Sequence, residues 1–120
     1  MPHKDDMPYL LHIRDAVNDV KKFVDGMDFF SFSQNDLVSS AVIRKLEIIG
    51  EASNKISGKT KEKYSEIPWR TMTDMRNVLI HHYFGVDFTA VWDTIQKDLP
   101  SLKEKIEKII KMLKEAGVEE

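Results

Sequence analysis

Cysteine is absent from the chain. That excludes a disulfide framework, a thiolate zinc ribbon and a thiol nucleophile, and redox chemistry is not expected. No apolar run approaches the roughly 18 to 20 residues that span a bilayer. The opening residues are charged within the first turn, with Lys4, Asp5 and Asp6, so no secretory signal is read and a cytoplasmic location is expected. Net charge of one sign is also lacking: 18 Lys and Arg against 20 Asp and Glu leave a formal −2. Any binding of a polyanion must therefore rely on a local cluster of cations. Internal repeats, low-complexity tracts and strand-period alternation are missing, which predicts a single domain over residues 1–120. Several catalytic signatures are missing too: a glycine-rich phosphate loop, a Gly-x-Ser-x-Gly elbow and a His-Glu-x-x-His zinc helix. No cofactor is expected.

What remains is helical patterning. With 42% hydrophobic and 32% charged residues, the chain has the composition of a folded domain and is neither disordered nor membrane-spanning. At this length it can bury a core without a disulfide or metal. From Tyr9 to Val24 the apolar positions Leu10, Ile13, Val17, Val20 and Val24 recur at three and four, predicting an amphipathic helix that stops near Gly26. Phe29, Phe30 and Phe32 then read as core plugs in a turn, with Ser33, Asn35 or Asp36 capping the next helix. That helix, from about Asp36 to Ile56, carries Leu37, Ala41, Leu46, Ile49, Ala52 and Ile56, widened by Val42, Ile43 and Ile48. So wide a stripe suits burial on more than one side, by the bundle or by a second chain. Ser57 to Pro68 reads as a loop with one short helical turn. Pro68 and Trp69 open a third long helix, with Thr71 or Thr73 as local caps, running to about His82 before Gly85. Asp87 caps a last helical pair, Val91 to Leu99 and Leu102 to Leu113, interrupted by Pro100. The expected fold is all-α, an antiparallel bundle of four or five helices.

Two places invite a chemical reading. Glu47 and Glu51, four apart, suggest a bundle carboxylate site, but the Glu-x-x-His partners of such a site are missing, so an exposed face paired with residues such as Lys55 is the plainer reading. The run from Asp74 to Gly85 concentrates a guanidinium, an amide, two imidazoles and a phenol. Arg76 and His81 are five apart, about 500° of rotation and thus roughly 140° apart on an ideal helix, so their convergence needs side-chain reach or an unwinding end. His81 and His82 diverge by about 100°, a poor metal chelate. Structurally, such a run is ordinary: histidines suit a helix C-terminus, and Arg76 can pair with Asp74 or Glu66. Chemically, a planar guanidinium grips phosphate while an imidazole titrates near neutrality, which together suit phosphodiester cleavage without metal.

The order Arg76, Asn77, then His81 and Tyr83 resembles the signature of the HEPN superfamily, and specifically of HepT-like ribonuclease toxins. Tyr9 to Ile13, Arg44 to Ala52, Ile67 to Trp69, Val86 and Asp87, Val91 and Trp92, and Asp98 to Pro100 carry the resemblance across most of the chain. It implies a HEPN-like bundle that forms a homodimer, with two motif copies making an RNase cleft. Arg76 and His81 would be catalytic, Asn77 supporting, and the RNA 2′-hydroxyl would attack the neighbouring phosphate. It further implies a type VII-like toxin–antitoxin module, in which an MntA-type minimal nucleotidyltransferase antitoxin transfers AMP to Tyr83. Asp74 departs from the family pattern, which has glycine there, and its carboxylate is expected to compete for Arg76. The alternative expectation is a non-catalytic, nucleotide-binding or partner subunit of such a nucleotidyltransferase, and a third is a plain helical scaffold.

Overall fold

The computed structural model describes residues 4–74 and 87–120, and among these it contains helices and no strand. A 3-10 turn at Lys4–Asp6 leads into α1 (Met7–Phe23), followed by α2 (Phe29–Gln34), α3 (Asp36–Lys55) and α4 (Gly58–Lys63). Residues 69–74 are helical and are denoted α5. Then come α6 (Phe88–Asp93), a π-helical turn (Thr94–Asp98) and α7 (Leu99–Glu115).

The apolar stripe of α1 is the axis of the core. Leu10, Ile13, Val17 and Val20 are buried, packed between α3 and α7. These present Val42, Leu46 and Ile49, and Leu102, Ile106 and Ile109 respectively. Spacing by three and four puts each set on one helical face. Polar contacts set the directions. Asp6, just before α1, meets Ser57, just after α3, while Asp19 pairs with Lys45 at 2.9 Å, so α1 and α3 run antiparallel. Val24 near the end of α1 faces Leu99 at the start of α7 across one cavity, and Arg14 reaches Glu120 at 3.0 Å. Hence α1 is antiparallel to α7 as well, as the predicted bundle requires. The Glu120 carboxyl, between the Lys114 ammonium and the Arg14 guanidinium, is held below the usual carboxylate range, chiefly by Lys114.

Asp6 is only 2% exposed and accepts from the Ser57 N–H at 2.9 Å, the Ser57 hydroxyl at 2.8 Å and the Thr60 hydroxyl at 2.5 Å. A buried carboxylate survives where such donors replace its water. The clasp joins the start of α1 to the α3–α4 corner, where the Ser57 hydroxyl also accepts from the Thr60 N–H. Asn35 caps α3, accepting from Val38 N–H at 3.0 Å. Asp28 caps α2 in a reciprocal box with Ser31, whose N–H and then hydroxyl hold the Asp28 carboxyl below its usual range. Gly26 takes φ of +76°, which ends α1 in a left-handed turn that a side chain would resist.

Several expectations need correction. The three phenylalanines belong to helix α2, and only Phe32 plugs the core, fully buried, whereas Phe30 is 72% exposed and Phe29 is also exposed. One short helix turns one position inward, and 29 and 30 point elsewhere. Leu37 is 82% exposed. Extending the register set by Asp6–Ser57 and Asp19–Lys45, Leu37 lies opposite the turn at Met27, past the end of α1, so that helix does not cover it. Thr71 and Thr73 lie within the helical residues of α5 and do not start them. Pro100 does not break the chain into two rods: helical backbone persists through Asp98 and Leu99. The Leu99 N–H bonds to the Thr94 carbonyl, five residues back. Proline removes the next donor and crowds the preceding turn, and the wider π turn absorbs both effects.

Replacing Asp6 by Ala removes the shared acceptor of two hydroxyls and an N–H at this corner. A loss of about 2 to 3 kcal/mol in unfolding free energy is expected, read from urea or guanidinium midpoints. A loss under half a kcal/mol would show the clasp to be incidental.

Candidate functional site

Arg76, Asn77, His81 and Tyr83 all fall within 75–86, outside the described residues. The structure does describe both flanks of that segment. Upstream, Ile67, Trp69 and Met72 are buried. The indole N–H of Trp69 donates to the Tyr64 carbonyl at 3.1 Å, the Tyr64 hydroxyl meets Met112 Sδ at 2.9 Å, and the Lys105 ammonium donates to the Glu66 carbonyl at 3.3 Å. The corner at 64–69 is thus fastened to α7. Pro68 starts the helical residues without an N–H to satisfy, and its carbonyl takes the Met72 N–H at 3.0 Å. Beneath α5, Leu46, Ile49, Met72 and Leu102 line a cavity of about 250 Å³. That is below the usual size of a ligand pocket, and we read it as a packing gap.

Downstream, Asp87 Oδ1 accepts from the Ala90 N–H at 3.0 Å, capping α6 as its sequence position predicts. Phe88 meets Phe32 edge-on at 6.2 Å, and Trp92 lies 5.2 Å from Phe32 and 6.5 Å from Phe29. These aromatic contacts seat α6 on α2. The sequence alone did not pair Trp92 with this cluster, since the two stretches are far apart along the chain and no periodicity links them. The Asp74 carboxylate stands 3.9 Å from Arg70 Nε on an exposed helical face, a pair worth at most a few tenths of a kcal/mol. Glu47 pairs with Arg44, three residues earlier, at 3.2 Å. Among the described residues no group of three His, Cys, Asp or Glu side chains could hold a metal ion, and no helix is long and apolar enough to cross a membrane.

The sequence model of the family described as Ribonuclease HepT-like matches residues 13–109. This chain belongs to that family. A Thermococcus cleftensis protein, named provisionally as ribonuclease HepT, is 47% identical over 109 residues, covering 91% of this chain and 96% of its own. A Methanocaldococcus jannaschii protein, named provisionally as an RNase, is 44% identical over 115 residues, covering 96% and 99%. Another provisional RNase, from Caldanaerobacter subterraneus, is 38% identical over 103 residues, covering 86% and 92%. No solved structure matches the chain. The HepT-like match takes in both described flanks and the segment between them, so the Arg-Asn, His and Tyr positions sit within family sequence.

Asp87, the first described residue after the motif segment, caps α6 of the HepT-like bundle. Asp87→Ala is expected to lower stability by about 1 kcal/mol and Asp87→Asn to retain it, since asparagine caps as well. Thermal and denaturant unfolding check this. Equal losses in both would mean that the carboxylate charge, not the capping oxygen, is what matters.

Proposed function

We propose that this chain is a metal-independent endoribonuclease, the toxin of a type VII-like toxin–antitoxin module in the cytoplasm. It would act as a single-domain homodimer. The observation that carries this reading is Arg76-Asn77 followed by His81 and Tyr83 in a chain whose HepT-like match spans 13–109. The RNase names of its relatives support the substrate class. One His81 takes the proton of the RNA 2′-hydroxyl, whose oxygen attacks the adjacent phosphorus. The bond to the 5′ oxygen breaks as the second copy's His81 protonates it, leaving a 2′,3′-cyclic phosphate and a 5′-hydroxyl. Arg76 stabilises the charge gathering on the phosphorane, and Asn77 orients the phosphate or the imidazole.

Pairing of two motif copies is supported by α3, whose Ile43 and Ile48 remain half-buried and whose Leu37 is exposed. A minimal nucleotidyltransferase neutralises the toxin by AMPylation: the Tyr83 phenol attacks the α-phosphorus of ATP and pyrophosphate leaves. The new phosphodiester anion then stands in the same short segment as Arg76, where it competes with RNA for the guanidinium.

Purified protein is expected to cleave RNA in EDTA, and Arg76→Ala and His81→Ala each to lower the rate at least about 100-fold with the helical signal intact. Cleavage surviving in both variants, or abolished by EDTA in the wild type, would overturn the mechanism.

Incubation with the antitoxin and ATP should add AMP to the wild type by intact mass and not to Tyr83→Phe. Increments that map elsewhere would exclude Tyr83 as the acceptor. Light scattering should give a dimer at micromolar concentration, and a strict monomer would remove the composite cleft.

A further inference from the structure

A second feature lies on the face formed by α1, the π turn and α7. Val17, Val20 and Val24 of α1 with Ile95 and Leu99 form the apolar floor of a cavity of about 360 Å³. That is within the range of small-molecule sites. Lys21 and Lys103 stand at its edge, and the surface continues to Lys22, Asn18 and Asp25. Of the other lysines, Lys45 pairs with Asp19, Lys97 with Asp93, Lys108 with Glu104 and Lys114 with Glu120. Among the described residues, Lys21, Lys22 and Lys103 form no such pair. Lys21 and Lys103 flank the cavity and Lys22 stands on the adjoining surface with Asp25, so like charges gather along one groove. Sequence order does not group them, because Lys103 comes from a helix at the other end of the chain.

The ligand that suits this surface has an apolar planar body and at least one negative charge. Gln96 at the rim and Asn18 beside it offer amides that can both donate and accept, as the edge of a nucleobase requires. A cationic groove that tracks the backbone is one part of how single strands are held without strict sequence choice. We propose that the groove holds a nucleotide of a bound RNA strand, its base on the valine and leucine floor and its flanking phosphates on Lys21, Lys22 and Lys103. The site is separate from the cleavage motif and serves to retain substrate. The choice of RNA as occupant rests on the ribonuclease reading, while the groove and its unpaired cations do not.

The test is fluorescence anisotropy of a labelled single-stranded oligoribonucleotide on the full chain, with His81→Ala throughout so that no cleavage intervenes. Reversing Lys21, Lys22 and Lys103 to Glu should weaken binding at least tenfold and reduce the salt slope of log K by about 2. Replacing the same three by Arg should preserve affinity. Reversing Lys59, Lys108 and Lys111, exposed elsewhere, changes net charge equally and should cost less than threefold. Circular dichroism checks the fold, and Lys→Gln replacements at the three groove positions serve if the Glu variant unfolds. Unchanged binding in the groove variant, or equal losses in the two reversed sets, overturns the proposal. AMP bound in the groove with RNA affinity unaffected by its lysines also overturns it, assigning the site to a free nucleotide. Groove-dependent binding with no cleavage by the wild type removes the ribonuclease reading and keeps the groove. Cleavage with groove-independent binding does the reverse.

Discussion

The burial of α1 between α3 and α7 is the constraint on which the other parts depend. Leu10, Ile13 and Val20 have essentially no solvent exposure, and truncating a side chain such as Leu10 or Ile13 to alanine typically costs about 2 to 5 kcal/mol. Burial alone, however, does not select direction or register, because apolar contact is non-directional. Those are selected by a few polar contacts at the margins, above all the buried Asp6 clasp on Ser57 and Thr60. Exposed pairs such as Arg14–Asp15 add little. A hydrophobic axis fixed by one buried carboxylate therefore decides where α4 turns, and with it where the corner at 64–69 can reach α7.

Much of this was legible in the residues themselves. The three-and-four spacing in α1 and α7 marks their inner faces, and Asn35 and Asp87 announce helix starts through their side-chain oxygens. The limits of such reading are also physical. Periodicity says which positions share a face but not whether a neighbour exists to cover it, which is why Leu37 is exposed beyond the end of α1. Composition counts Phe29, Phe30 and Phe32 alike, but a short helix can turn only part of that run inward. Pro100 signals a break, yet a π turn can take up a missing donor without changing the direction of the rod, a solution invisible to a rule about single residues.

Chemistry is legible in a different way. Spacing alone leaves Arg76 and His81 roughly 140° apart on a regular helix, and nothing in helical geometry singles out Tyr83 as an acceptor. Only the whole arrangement, with Ile67 to Trp69 before it and Asp87 after it, identifies the family, and that arrangement covers both flanks described in the fold. The cationic groove is the opposite case. No motif announces Lys21, Lys22 and Lys103, which in the sequence belong to ordinary solvated faces, and only the antiparallel packing of α1 on α7 brings them together.

The two kinds of feature share one element. The backbone from the Asp87 cap through the π turn into α7 is continuously helical, so Asp87 and one wall of the groove belong to the same rod. Along that rod, roughly 13 Å separates Asp87 from Gln96 and about 24 Å separates it from Lys103. A stacked strand rising about 3.4 Å per nucleotide along its axis needs on the order of four to seven nucleotides to cover those lengths. A chain with formal charge −2 offers such a strand no attraction at long range, so a short oligonucleotide that meets only the motif would have just the local guanidinium to hold it. A longer strand could also engage the three lysines and gain the release of its counterions. A preference for longer single strands would then follow from the rod's geometry, with no base-specific contact required at the groove.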